Sequence, residues 1–270
     1  MSYYNNKDIL FIKRDNMAWL KQSDAFDADN YSAPLIGIAA EMAAQHDSGF
    51  HCHQRGQLLF TERGAIQITL TDTLSVLPPT RVAWIPPQML HRAQMFEAVG
   101  YRSLYPDAQL SACLPPTCEI FGVSPLLREI LFLFAGLPFD SDWTQPRLQH
   151  LLPVFLDELA LAGREDMQLP LPSDRRLKTL DPRILPPQLN ELASRCGAGE
   201  KTITRIFRRE TGMSYQQWRQ QWRLIKSVEL LAKKYRSSDI AQALGFASDS
   251  AFVSFFRKMT GKTPGEYMGK

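Results

Sequence analysis

Two stretches near the C-terminal end decide how this chain folds: 189-LNELASRCGAGEKTITRIFRRETG-212 and 238-SDIAQALGFASDSAFVSFFRKMTG-261. In the first, Leu189, Leu192 and Ala193 mark a short helix, 197-GAG-199 marks a turn, and Ile203, Ile206 and Phe207 share one face of a second helix. Lys201, Thr204, Arg205 and Arg208 fall at i, i+3, i+4 and i+7 on the opposite face. The second stretch repeats the outline. Ile240, Ala241 and Leu244 lie on a short helix, Gly245 makes the turn, and Ser248 is placed to cap the next helix. Phe252, Phe255, Phe256 and Met259 are expected on its buried side, with Ser250, Val253, Ser254 and Arg257 facing out. Both stretches close on one phrase, 207-FRRETG-212 and 256-FRKMTG-261. Residues 213–234 between them read as one helix with Trp218, Trp222, Ile225 and Val228 inward. A rigid connector between two helix-turn-helix units can set both recognition helices into successive major grooves, roughly 34 Å apart.

The charge distribution agrees. The 270 residues carry a formal net charge of only +3, but unevenly. From Ser173 to Lys270 there are 19 Lys and Arg against 9 Asp and Glu; residues 1–172 hold 12 against 19. A basic half joined to an acidic half implies that one half meets a polyanion. The start, MSYYNNKDILFIKRD, lacks the apolar core of a secretory leader, and no run approaches the ~18 apolar residues of a membrane span. The four cysteines, Cys52, Cys113, Cys118 and Cys196, show no CxxC spacing. Reduced, mostly buried thiols are expected, in a cytoplasmic protein without membrane partners.

The basic region resembles the DNA-binding domain of the AraC/XylS family of bacterial transcription regulators. The resemblance is carried by 211-TGMSYQQWRQQWRL-224, 240-IAQALGFASDSAFVSFFRKMTG-261 and 263-TPGEYM-268, and spans about the last eighty residues. It implies double-stranded DNA as a partner, RNA polymerase as well if the protein activates, and a neighbouring transporter, efflux or catabolic gene as target. Two departures stand out. The segment 174-DRRLKTLDPRILPP-187 is short and Pro-rich for the family's first helix, and Gly199 stands where a Ser or Thr cap is usual. From chemistry and face, Lys201, Thr204 and Arg205 are candidate base readers, Arg pairing with guanine O6 and N7. Arg208, Arg209 and Arg257 suit phosphates. Ser250 and Ser254 suit base edges or phosphate, and Val253 suits a thymine methyl.

The first ~110 residues read as β. Segments 57-QLLFTE-62, 65-AIQITLT-71 and 81-RVAWIP-86 are β-branched and aromatic, separated by Arg63-Gly64, Pro78-Pro79 and Pro86-Pro87. Within them, 49-GFHCHQRGQLLFTERG-64 places His51 and His53 on one face of an expected strand, with Arg55 and Gln57 on that face if the strand continues. His91 follows in 84-WIPPQMLHRA-93. The set resembles the two cupin motifs: Gly49, His51, His53, Gly64, Pro86 and His91 match, while Gln57 stands at the acid's place and Gln88 at a glycine's. Three imidazoles would suit zinc, nickel, copper or ferrous iron, with Gln57 as a weaker fourth ligand. A polar effector pocket without metal, formed by the same His51, His53, Arg55, Gln57 and His91, fits equally well.

The expected architecture is α+β and multidomain: a cupin-like effector barrel at 1–110, a helical linker at 111–170, and an all-α domain with two helix-turn-helix units at 171–270. Leu126, Leu127, Ile130, Leu131 and Phe134, then Leu148, Leu151, Leu152, Phe155, Leu156 and Leu159, place two amphipathic helices in the linker, the second carrying Pro153. They can cover the barrel or pair a homodimer. No catalytic residue is proposed, because Gln57 offers no carboxylate as base. The competing readings are a cupin metalloenzyme fused to a DNA-binding domain and a constitutive regulator with a vestigial barrel.

Overall fold

The computed structural model describes residues 19–20 and 26–269. Positions 1–18, 21–25 and 270, which include the start of the first domain and the stretch read for a leader, lie outside the described residues. Two antiparallel-rich sheets face one another. One takes the order β1 (Trp19–Leu20), β2 (Leu35–Met42), β9 (Val99–Pro106), β4 (Gln57–Thr61), β7 (Arg81–Ile85), β10 (Glu119–Gly122). The other runs β11 (Gln168–Pro170), β6 (Thr73–Leu77), β5 (Ile66–Thr69), β8 (Arg92–Met95), β3 (His46–Asp47). Inward residues of both, among them Ile36, Leu59, Ile66, Ile68, Met95 and Val99, form one core.

The linker 111–170 is not purely helical, which corrects the sequence reading. Glu119–Gly122 pairs with β7 and Gln168–Pro170 pairs with β6, so both segments complete the sheets. Each satisfies backbone groups on an otherwise open sheet edge. Segments of three or four residues carry too little alternation to be seen in sequence. The two expected helices are present as α2 (Pro125–Ala135) and α3 (Pro146–Leu161), preceded by a short α1 (Ala108–Ser111). Leu127, Ile130, Leu131, Phe134, Leu148, Phe155 and Leu159 form a second core over the outer face of the six-stranded sheet. Leu126 was expected with them but is exposed, as are Val154 and Leu161. Helix α3 continues through Pro153, which lies on its exposed side.

The C-terminal domain is helical: α4 (Leu189–Arg195), α5 (Glu200–Thr211), α6 (Tyr215–Ala232), α7 (Ser237–Ala243), α8 (Asp249–Thr260) and α9 (Pro264–Tyr267). The repeated Thr-Gly is a helix stop. Gly212 and Gly261 both take left-handed backbone, at φ 71 and 75, and end α5 and α8. Starts are equally local. Ser214 with Gln217 and Thr263 with Glu266 form capping boxes. Arg175–Leu177 is a single 3-10 turn, so the Pro-rich segment does not build a first helix.

Trp218, Trp222, Ile225 and Val228 of α6 are buried as expected, but the β-domain supplies part of their cover. Trp218 Nε1 donates to Pro170 O at 2.6 Å, and Gln221 Nε2 donates to Asp166 O at 2.7 Å and Gln168 O at 3.1 Å. At the far end, Arg81 of β7 stacks on the Tyr267 ring, 3.9 Å from its centroid. Arg81 Nε lies 2.7 Å from Glu165 Oε2, to which the Tyr267 hydroxyl also donates at 2.7 Å.

Gly37 of β2 marks where α2 seats on the sheet. A Cβ there would lie 2.1 Å from the Phe134 carbonyl oxygen, whereas one at Gly163 meets nothing within 4 Å. Gly37→Ala is expected to cost at least about 1–3 kcal/mol, because backbone must move to admit the methyl. Gly163→Ala should leave stability nearly unchanged, and urea midpoints of the two variants test the contrast.

Candidate functional site: a histidine-lined cavity and a paired DNA-facing surface

His51 and His91 exchange two backbone hydrogen bonds of 2.9 Å as an isolated antiparallel bridge, which puts their rings 4.3 Å apart, centroid to centroid. The His53 ring stands edge-on to His91 at 5.2 Å. The sequence put Arg55 and Gln57 on the face of His51 and His53 only if one strand continued through them. It does not: residues 52–56 are irregular and β4 begins at Gln57. Its cause lies in Arg55. That side chain turns away and is spent on backbone carbonyls, Tyr105 O at 3.0 Å, Tyr31 O at 2.6 Å and Ala33 O at 2.8 Å. The Asp29 carboxylate accepts from the backbone N–H of Gln54 and Arg55. Arg55 therefore braces the 28–33 segment and does not line the cavity, which corrects its assignment to the effector pocket.

Each histidine is oriented through Nδ1. His91 Nδ1 faces Met89 O at 2.9 Å, His51 Nδ1 faces Gly49 O at 3.1 Å, and His53 Nδ1 faces Arg55 O. A carbonyl accepts only an N–H, so in the neutral ring the proton sits on Nδ1 and Nε2 keeps a lone pair. One ligand atom from each of the three rings lies within 4.8 Å of the others. Burial pushes the His91 imidazole down to about 4, so it is neutral at pH 7. The loop bearing His51 is pinned by Asp47, whose carboxylate accepts from Gly49 N and pairs with Arg92; these bonds hold it well below the usual carboxylate range.

Gln57 is buried among hydroxyls that sequence reasoning missed. Its amide lies 3.0 Å from Tyr101 Oη, 2.8 Å from Ser103 Oγ, 3.1 Å from Tyr105 Oη and, on its other side, 3.3 Å from His53 Nε2. An NH2 has two protons and cannot serve three oxygens at once. With the amide turned over, its oxygen accepts from the hydroxyls and its NH2 donates to His53. The alternation in 101-YRSLY-105 was the available signal. Gln88, where the cupin motif has glycine, takes φ 62, so the turn keeps the left-handed backbone that glycine favours.

A cavity of about 390 Å³ is bordered by His51, His91, Gln57 and Tyr101; His53, expected in the effector pocket, stands beside this group but is not part of the lining. Its polar lining is His46, Ser48, His51, His91, Gln57 and Tyr101; Leu20, Phe26, Ile38, Met42 and Met95 are apolar. Among the described residues, its lining contains no Lys, Arg, Asp or Glu. Cys52 and Cys113 are exposed and Cys118 and Cys196 half-buried, so the expectation of mostly buried thiols does not hold.

On the C-terminal domain, Lys201, Arg205 and Arg208 project from α5 into solvent, with Thr204 half-exposed beside them. Ser250, Ser254 and Arg257 are exposed on α8. Three expectations change. Val253 is half-buried against the core, because its branched side chain packs under the helix. Met259 is 38% exposed, one turn beyond the seam filled by Phe252 and Phe256. Arg209, 60% exposed, pairs with Glu210 at 2.6 Å and Asp174 at 3.5 Å, so a phosphate would compete with two carboxylates for it.

Two family models match the chain: a helix-turn-helix domain over residues 192–270 and an AraC-like ligand-binding domain over residues 35–118. The transcriptional regulator NimR of Escherichia coli is 30% identical over 83% of both chains. This chain belongs to the AraC family of transcription regulators. The virulence regulon activator VirF of Yersinia enterocolitica is 25% identical over 86% of each chain. Among solved structures, ToxT of Vibrio cholerae aligns over 88% of this chain and 96% of its own at 10% identity and a TM-score of 0.38. The family membership makes the helical domain a DNA-binding one and the N-terminal domain a ligand-binding one. No helix among the described residues is long and apolar enough to cross a membrane.

Arg208 and Arg209 are adjacent yet should behave differently. Arg208→Ala is expected to weaken binding to all DNA sequences and to lower the log–log salt slope by about 1. Arg209→Ala should leave the slope nearer wild type, because Asp174 and Glu210 already hold its charge. Fluorescence anisotropy across a salt series separates the two.

Proposed function

We propose that this regulator changes its DNA binding when a divalent transition metal occupies His51, His53 and His91. The observation that carries the reading is the convergence of three ring nitrogens, each ring oriented by a backbone carbonyl on its other nitrogen. Neutral imidazoles suit zinc, nickel, copper or ferrous iron. Gln57 can complete such a set by turning its amide oxygen toward His53 and the metal. A small uncharged molecule is a second reading, favoured by the apolar end of the cavity and by a lining free of fixed charge.

Such a signal has a physical route to DNA. Strand β7 carries Arg81 at its start and ends at Ile85, six residues before His91, with the turn through Pro86, Pro87 and Gln88 between them. Arg81 stacks on Tyr267 of the DNA-binding domain, so this strand and its turn are the route we propose from the histidines to the helices. A metalloenzyme is the weaker alternative, because among the described residues no carboxylate lines the cavity to act as base.

Plasma mass spectrometry of purified wild type and a His51→Ala/His53→Ala variant tests this reading. Near-stoichiometric metal is expected in the first and none in the second. DNA binding to the gene's own upstream region, and to that of neighbouring transporter genes, should change on chelation in wild type only. Absence of metal after incubation with each of the four ions overturns the metal reading and leaves the uncharged ligand.

A further inference from the structure

The two helix-turn-helix units are built alike but equipped differently. Helices α5 and α8 are each 12 residues long, and their closing phrases align at a fixed offset of 49 positions, Phe207 on Phe256. At that offset Lys201 corresponds to Ser250, Thr204 to Val253, Arg205 to Ser254, Arg208 to Arg257 and Arg209 to Lys258. The cations that both units keep lie in the last turn of the helix. Those that differ lie in its first half, the end that meets base edges when a recognition helix enters the major groove.

That first half is chemically rich in α5 and poor in α8. Lys201 and Arg205 are exposed and, among the described residues, take part in no ion pair or side-chain hydrogen bond, so both are available to a ligand. Arg205 offers the fork that matches guanine O6 and N7. In α8 the same places hold two serines, whose hydroxyls bond any base edge and so distinguish little, and Val253, which is half-buried in the core. The helix starts differ in the same sense. Ser248 caps α8 by accepting from Ala251 N, whereas Gly199 gives α5 no side-chain cap, and Thr202 N donates instead to the Gly199 carbonyl at 2.9 Å.

We propose that the units divide the work: α5 reads base identity through Lys201, Thr204 and Arg205, while α8 supplies sequence-tolerant phosphate contact through Arg257 and Lys258, about one helical turn of DNA away. The inference rests on the DNA-binding role of both units and says which of them carries specificity. The operator is therefore lopsided, with one defined box and one box selected by shape.

Selection from a random double-stranded DNA library by the full-length protein, followed by sequencing, tests this. One information-rich box containing guanine is expected, with a weakly defined segment about 10 base pairs from its centre. Arg205→Ala should flatten at least one position of the strong box and lower affinity for the selected site by roughly 10- to 100-fold. Arg205→Lys should flatten the same position with a smaller loss, since it keeps the charge but not the fork. Ser250→Ala/Ser254→Ala should leave the motif unchanged, and Arg257→Ala should weaken all sequences alike. Two equally defined boxes, or a motif that flattens in the serine variant as much as in Arg205→Ala, would overturn the division of labour. Failure to enrich any sequence, with the protein folded by circular dichroism, would instead sink the DNA-reading role on which the proposal stands.

Discussion

The structure depends on the seating of α6 against the carbonyl edge formed by residues 166–170. Trp218 and Gln221 bury large polar-tipped side chains there, and each tip must find a partner or lose the free energy of a desolvated donor. The carbonyls of Asp166, Gln168 and Pro170 supply those partners. Because α6 joins the two helix-turn-helix units, this one contact fixes both against the β-domain. The apolar core consequently runs without a break from between the sheets into the helical domain.

The histidine cavity is constrained by the opposite logic. Among the described residues its lining holds no Lys, Arg, Asp or Glu, and His51 and His91 face backbone carbonyls through Nδ1. Arg55, the one cation the sequence placed nearby, is held by three carbonyls outside the cavity. Burial raises the Tyr101 and Tyr105 hydroxyls and lowers His91, so every shift there keeps the groups uncharged. A site of this kind attracts a ligand that brings its own charge, such as a metal ion, or one that has none.

The two ends of the chain differed in how far they could be read. In the helical domain local signals sufficed: Ser248 as cap, Gly212 and Gly261 as stops, and aromatic residues at helical spacing. Each acts within one or two turns, so sequence order and spatial order coincide. In the β-domain the partners are distant in sequence. Gln57 meets Tyr101, Ser103 and Tyr105 across a sheet, and Arg55 meets Tyr31 and Ala33 through an irregular segment that the alternation rule assumed to be strand. Val253 and Met259 show the same limit on a helix. Periodicity located the faces, but packing against neighbouring elements decided which borderline residue was covered.

The sequence by itself determined the helix boundaries of the C-terminal domain, its duplicated unit, its basic outward face and the three histidines worth attention. These rest on capping, turn chemistry and residue spacing, all of which act between near neighbours. Only the tertiary structure decided that residues 119–122 and 168–170 complete the sheets, that Arg55 is spent on the carbonyls of Tyr31, Ala33 and Tyr105, and that Arg81 clasps Tyr267. Those outcomes turn on which groups more than 20 residues apart satisfy one another's hydrogen bonds and charge, and one-dimensional spacing carries no record of that.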